Sequence, residues 1–278
     1  MSNMLSMIYN VKFPGLNFNL QINPIAFKLG NISIYWYGII ICVGFLLALW
    51  YVLANCKRFK INVNHMVDVI IIGLICGIIG ARLYYVIFYP GDLYIKNPLK
   101  ILYINQGGIA IYGGIIGGIL GGSFVARRKS IDLLSALDIT SLGFLIGQGI
   151  GRWGNFVNQE AFGTKTDIFC RMVSENTGGV PVHPCFLYES IWCILGFLLL
   201  HMFSVKYKKY DGQVFFLYLI WYGTERFFVE SLRTDSLLIP GIGIKVSQVV
   251  AVITVLVGIF MLFKLRSKKS LLVNDQNN

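Results

Sequence analysis

Charge is scarce in this chain. Asp, Glu, Lys and Arg make up 13% of its 278 residues, against about 25% in a typical soluble domain. That deficit excludes an ordinary soluble enzyme. Acidic residues are the scarcer sign: 13 face 24 Lys and Arg, which leaves a net charge of +11. In a soluble protein such an excess would point to nucleic acid. In a membrane protein it points to basic cytoplasmic loops, and no nucleic-acid partner is expected here. The three histidines are too few for a multi-histidine metal centre, and the six cysteines show no metal-ligand spacing. Neither a metal nor a cofactor is therefore expected. The first 30 residues lack the basic start and compact apolar core of a signal peptide. What the chain has in abundance is apolar. It is 56% hydrophobic, with 20 Phe, 15 Tyr and 5 Trp, which excludes a disordered chain.

A helix needs ~20 apolar residues to cross a bilayer. Seven stretches meet that length, near 35–55, 66–89, 109–126, 133–151, 185–204, 213–233 and 244–264. The expected fold class is all-α, a polytopic membrane protein with seven transmembrane helices. Residues 1–34 form an external arm and 35–265 the spanning domain. A polar loop at about 156–183 forms a small external cap, and 266–278 a polar, disordered cytoplasmic tail. The basic clusters set the orientation. Lys57, Arg58 and Lys60, then Arg127 to Lys129, then Lys206, Lys208 and Lys209, then Lys264, Arg266, Lys268 and Lys269 fall on alternate connections. All lie on one face if there are seven spans, and the positive-inside rule makes that face cytoplasmic. The N-terminus is then outside and the C-terminus inside.

Charges within a membrane are costly and mark functional sites. At 1.5 Å per residue, Arg82 lies roughly 24 Å above the cytoplasmic edge, Arg152 roughly 28 Å and Arg226 roughly 20 Å. Arg233 reaches the outer rim. Glu189 and Glu160 lie at the same level. The inner half holds little beyond Asp68, Asp132 and Asp138. A cluster of Arg in one leaflet fits an anion in that leaflet, since the guanidinium fork matches phosphate oxygens. A phospholipid headgroup is the expected ligand, and membrane lipid the expected partner.

Tyr222, Arg226, Glu230 and Arg233 are spaced i, i+4, i+8 and i+11 and line one helical face. An internal ion-pair ladder between helices would use the same spacing. Gly113-Gly114, Gly117-Gly118 and Gly121-Gly122 place glycine on one face of segment three, the pattern of close helix packing in membranes. Gly107 and Gly108 precede it and would admit backbone close to a ligand. The run from Gly151 through Arg152, Asn155, Asn158 and Glu160 is the densest polar signal at a membrane exit. His183-Pro184 with Tyr188-Glu189 forms a second knot. Cys42, Cys76 and Cys193 read as packing residues, and Cys56 faces the cytoplasm. A disulfide between Cys170 and Cys185 is left open.

These blocks resemble the prolipoprotein diacylglyceryl transferase family of bacterial membrane enzymes. The signature is Gly151-Arg152-x-Gly154-Asn155-Phe156-x-Asn158-x-Glu160, then Gly163. Trp36-Tyr37-Gly38, Gly107-Gly108 to Tyr112-Gly113-Gly114, His183-Pro184 to Tyr188-Glu189, and Tyr222 to Arg233 follow the family's order. The resemblance implies seven spans in the bacterial cytoplasmic membrane and a site opening to the outer leaflet. It implies transfer of diacylglyceryl from phosphatidylglycerol to the lipobox cysteine of a preprolipoprotein signal peptide. The product is a thioether and glycerol phosphate leaves, the first step of lipoprotein maturation. Tyr37, Arg152, Asn155, Glu160, Glu189, Tyr222, Arg226 and Glu230 map onto functional positions. Gly108, Gly113 and Gly163 map onto glycine positions of the family. Many members carry His before the Gly-Gly pair of segment three, where this chain has Tyr112.

The resemblance implies a thiolate nucleophile and a phosphate leaving group whose charge grows in the transition state. Arg152 and Arg226 would stabilise that charge, while Asn155 and Tyr37 orient headgroup oxygens. Tyr112, His183 and Glu189 are the candidate bases. A transporter predicts charge through both leaflets. A non-catalytic lipid-binding protein would use the same Arg cluster.

Overall fold

The computed structural model describes residues 8–30, 32–104, 107–239 and 242–276, with side chains as far as Ser267. The first elements are strands: β1 (Tyr9–Phe13), β2 (Phe18–Ile22), β3 (Ile25–Leu29) and β4 (Ile32–Tyr35). Long helices follow: α1 (Trp36–Asn55), α2 (Val63–Ile87), α4 (Ile111–Arg128), α5 (Leu133–Asn158), α6 (Cys185–Lys206), α7 (Gln213–Leu232) and α8 (Val246–Gln276). The short α3 (Leu93–Lys96) lies between α2 and α4.

The strands correct the all-α expectation for the arm. β1 pairs with β2 and β3 with β4, both antiparallel. The first hairpin turns through Pro14-Gly15 and Asn17, the last held at φ 50°, a left-handed conformation that Asn tolerates. Residues 1–7 of the expected arm lie outside the described residues. Residues 266–276 of the expected tail coincide with the last turns of α8; its side chains beyond Ser267, and residues 277 and 278, lie outside the described residues.

Among the described residues, five helical segments are long and apolar enough to cross a membrane: Trp36–Phe59, Val63–Ile87, Leu133–Asn158, Cys185–Lys206 and Val246–Ser267. α4 and α7 occupy the other two expected spans but are less apolar. Glycine dilutes α4, and Glu225, Arg226 and Glu230 interrupt α7. Large apolar side chains cover the outside of the helices, including Trp50, Leu120 and Phe260, each more than 60% exposed. So much exposed apolar surface belongs in lipid.

The chain divides into two compact units, Met1–Val52 with Thr140–Asn278, and Leu53–Ile139. In the second unit α2 and α4 run antiparallel, glycine against glycine. A Cβ on Gly80 would come within 2.4 Å of the Gly113 carbonyl, and one on Gly117 within 2.2 Å of the Cys76 carbonyl. The glycine rows let the two backbones touch, and close van der Waals packing replaces side-chain burial.

In the first unit, small residues again mark the crossings. Gly44 on α1 faces Ile150 on α5, and Gly149 on α5 faces Cys193 on α6. Gly196 on α6 makes room for Trp221 on α7, whose ring stacks on Trp192 at 4.5 Å. Each of these indoles donates to the other's carbonyl at 3.1 Å, so both part-buried N–H groups are satisfied. Gly223 and Gly258 bring α7 and α8 together.

The loop between α5 and α6 joins the first hairpin. Val173 bridges Lys12 of β1, and Val182 bridges Met172 and Lys165. Val11, Phe13, Phe156, Met172, Val182 and Phe186 form its buried core. The ends of α5 and α6 therefore enter one small β-rich knot.

Candidate functional site

The first unit gathers charge where α5, α6 and α7 meet. Glu189, one turn into α6, is 1% exposed. Its Oε2 lies 3.1 Å from Nε of Arg152 on α5, and its Oε1 lies 3.3 Å from Nη1 of Arg226 on α7. One carboxylate thus bridges two guanidinium groups from two other helices. Arg226 also meets Glu230, one turn further along α7, at 2.5 Å. Helix periodicity brings Arg226 and Glu230 together, but the bridge through Glu189 is tertiary.

Arg152 makes its ion pair through Nε alone. Its two terminal nitrogens have no partner among the described residues, and its side chain is 21% exposed. Those donors form the fork that binds phosphate or carboxylate oxygens.

Around the cluster, Tyr37 of α1 packs on Gly154 of α5, where a Cβ would come within 2.7 Å of the ring. Only glycine admits the tyrosine there. Tyr222 stacks on Tyr218 at 5.9 Å. The polar end of α5 folds onto itself: Asn155 and Asn158 donate to Oε1 of Glu160 at 3.0 and 3.4 Å. Gln159 and Ala161, flanking Glu160, have φ of 51° and 57°, a region most side chains avoid. Trp153 donates to Ser190 at 3.1 Å, and Ser190 donates to the Gly149 carbonyl at 2.8 Å. An apolar cavity of about 340 Å³ opens beside them, lined by Trp36, Ile40, Val43, Ile150, Trp153 and Ile194. Its lining includes Ile150 and Trp153 on either side of Arg152 in sequence, and Ser190 next to Glu189.

Gly163 belongs to the loop. It donates to the His183 carbonyl at 2.9 Å, and its neighbour Thr164 donates to the Leu232 carbonyl at 2.8 Å. A Cβ there would strike His183, at 2.7 Å, and Cys185. His183 Nδ1 lies 3.1 Å from the Tyr188 hydroxyl, which also contacts the Cys170 thiol at 3.7 Å. Burial pushes the His183 imidazolium below its usual range, so the ring favours the neutral form. Arg233 leaves α7 to form a two-pronged pair with Asp235, at 2.9 and 2.7 Å, which holds that carboxyl below the usual range. Lys245 donates to the Glu230 and Arg233 carbonyls at 2.6 and 2.8 Å, closing the C-terminal end of α7.

The second unit holds the remaining candidates. Arg82 on α2 is 6% exposed. Its guanidinium donates to the carbonyls of Lys100, Ile101, Tyr103, Gly107 and Gly108. Gly107 and Gly108 have φ of 83° and 75°, which bends the loop back over the arginine. The donors expected to meet a headgroup are taken up by backbone. Gly113 touches Gly80, and Tyr112 stands at the start of α4 beside Tyr84, ring centres 6.5 Å apart.

The sequence model of the prolipoprotein diacylglyceryl transferase family matches residues 24–264. The phosphatidylglycerol–prolipoprotein diacylglyceryl transferase of Staphylococcus haemolyticus is 43% identical over 264 residues, 90% of this chain and 91% of that protein. The enzyme of the same name from Staphylococcus carnosus is 44% identical over 259 residues, 89% of this chain and 92% of that one. The one from Clostridium novyi is 39% identical over 249 residues, 87% and 95%. The chain belongs to the prolipoprotein diacylglyceryl transferase family. It is therefore a diacylglyceryl transferase, and its apolar helices place it in a membrane.

Of the residues read from the sequence, Arg152, Glu189, Arg226 and Glu230 come together in one cluster. Asn155 and Asn158 lie on α5 and Tyr222 on α7, two helices of the cluster, while Glu160 follows α5 and Tyr37 lies on α1. His183 and Gly163 belong to the loop between α5 and α6, and Arg233, at the end of α7, bridges Gly163. Arg82, Gly108, Gly113 and Tyr112 belong to the second unit. Cys170 and Cys185, left open as a disulfide, are both free thiols. Sequence reasoning missed Glu225 on α7, which is 3% exposed. Its signal was present: a carboxylate in a spanning segment, one turn from Tyr222 and next to Arg226.

Proposed function

We propose that the Arg152–Glu189–Arg226–Glu230 cluster binds the phosphodiester of phosphatidylglycerol and drives transfer of its diacylglyceryl group to a lipobox cysteine thiol. The curated relatives named above carry that substrate and product in their names. The observation that carries the site is Arg152: its terminal nitrogens face no protein acceptor among the described residues, while Glu189 holds its Nε. A guanidinium locked on one edge and open on the other is pre-organised for an anion.

Arg152 and Arg226 hold the phosphate and stabilise the charge that grows as glycerol phosphate leaves. Glu189 sets the spacing of the two guanidiniums rather than removing a proton, because both its oxygens are engaged. Tyr37, Tyr222, Asn155 and Asn158 orient the headgroup beside Glu160. The sulfur attacks as thiolate, and His183, neutral and linked to Tyr188, is the acceptor for its proton. Arg82 shapes the Gly107–Gly108 loop and leaves Tyr112 to hydrogen bonding.

α1, α2, α4, α5, α6, α7 and α8 are the seven spans, with the N-terminus outside and the basic loops in the cytoplasm of a bacterium. The β-rich knot is then an external cap over the outer leaflet of the inner membrane. Lipobox peptides reach the thiol-side of the site from that leaflet. The transporter and non-catalytic alternatives lose to a reading in which the open Arg fork serves turnover.

The test is transfer of labelled diacylglyceryl from phosphatidylglycerol to a lipobox peptide by the purified protein. Wild type should form the thioether. Arg152→Lys combined with Arg226→Lys should lose about 100-fold or more, the usual effect of removing transition-state donors. Full activity in the double variant would overturn phosphate recognition by these forks.

A further inference from the structure

We propose that Glu225 is the proton donor to the departing phosphate. The proposal rests on the function just given and adds a residue to it.

Glu225 lies on α7 between Tyr222 and Arg226 and is 3% exposed. Its Oε1 is fully buried and has no hydrogen-bond partner among the described residues. It interacts electrostatically with Glu189, Arg152 and Arg226. A buried polar atom without a partner is rare and needs a reason. Here its neighbours are the two guanidiniums that hold the phosphate.

Charge counting selects its chemical form. Arg152 and Arg226 are paired with Glu189 and Glu230, two cations against two carboxylates. Those four groups cancel. A fifth, ionised carboxylate would make the cluster negative where it must accept an anionic phosphodiester. As a carboxylic acid, Glu225 is neutral and offers one O–H donor. It is the only member of the cluster not held in an ion pair among the described residues, so its proton is the one free to move.

The step balances as follows. The thiolate sulfur forms the C–S bond as the C–O bond between the diacylglyceryl carbon and phosphate breaks. The electron pair of that bond goes to the departing phosphate oxygen. Glu225 delivers its proton to that oxygen and becomes a carboxylate beside Arg152 and Arg226. The thiol proton has already gone to a base on the nucleophile's side. Water reprotonates Glu225 after glycerol phosphate leaves.

The experiment compares two lipids. One is phosphatidylglycerol. The other is an analogue with sulfur in place of the oxygen joining diacylglyceryl to phosphorus, whose leaving group needs no proton. Glu225→Gln should lower kcat on phosphatidylglycerol by about 100-fold, the lower range for general acid catalysis, with KM nearly unchanged. On the sulfur analogue it should stay within a few-fold of wild type. Glu225→Asp keeps a carboxyl and should fall between, again with near wild-type turnover of the analogue. Unchanged turnover of phosphatidylglycerol by Glu225→Gln would overturn the proposal. So would an equal loss on both lipids, in either variant, since a structural role does not depend on the leaving group. Absence of thioether from wild type with either lipid would instead overturn the function on which the proposal rests.

Discussion

Glu189 shows how far a single residue can be read before its neighbours are known. In sequence it is one carboxylate beside a tyrosine at the start of an apolar run. In the fold it is buried and bridges Arg152 and Arg226 from two other helices. Breaking a buried bridge of this kind leaves an uncompensated charge, so the residue must be kept whether or not it meets substrate. His183 carries the opposite lesson. Burial depresses its pKa below that of the unfolded chain. The unfolded state then binds more protons as pH falls, so stability is lost on acidification from about 6.5 downward through the folded pKa. Thermal unfolding in detergent between pH 7.5 and 5.5 should show that loss in wild type and a shallower one in His183→Gln. Identical slopes would mean the histidine is not held neutral. Arg82 shows the same dependence on neighbours. An arginine in a span was an expected headgroup ligand, but five loop carbonyls occupy its donors. Sequence shows a cation's depth; it does not show which backbone comes back to meet it.

Elements were legible where periodicity is strong. All seven expected spans coincide with helices, though α4 and α7 are less apolar than the rest. The glycine rows of α4 announced close packing, and the partner helix turned out to carry its own glycines, Gly73, Gly77 and Gly80. That pairing sets a contrast. Gly117→Ile should break the α2–α4 contact, since even its Cβ would lie 2.2 Å from the Cys76 carbonyl. Gly118→Ala should be tolerated, because its Cβ would sit at 3.5 Å from Gly73, an ordinary contact. Overpacking costs about 1–3 kcal/mol or more, so Gly117→Ile should lower the midpoint of thermal unfolding in detergent by several degrees while Gly118→Ala leaves it unchanged. The strands of the arm were missed. β1 and β2 are five residues each, too short for alternation to stand out in a chain rich in apolar residues.

At the largest scale, apolar side chains are exposed along the helices of both units, and the first unit buries a cluster of charge. Topology is the prediction at this scale. In a chain with its six native cysteines replaced, Lys165→Cys should react with a membrane-impermeant maleimide added to intact cells. Lys209→Cys should react only after the membrane is opened. The reverse pattern would turn the protein over and move the β-rich knot to the cytoplasm. Hydrogen bonds link the knot to the site: Thr164 is bonded to Leu232 at the end of α7, and Gly163 to His183 before α6. A movement of the loop would be felt at α6 and α7, two of the three helices that carry the cluster.

Sequence alone determined the membrane class, the positions of the long helices and the family, because apolar length, glycine period and a dense polar signature are properties of the chain. It also singled out Arg152, Arg226, Glu189 and Glu230, since charge inside an apolar segment is rare and costly. Tertiary structure decided which of them touch. Three helices must meet before Glu189 can bridge two arginines, a loop must fold back before Arg82 is saturated, and the pairing must be complete before Glu225 is left over. Those are facts of side-chain neighbourhood, and neighbours from distant parts of a chain are chosen by packing, not by spacing.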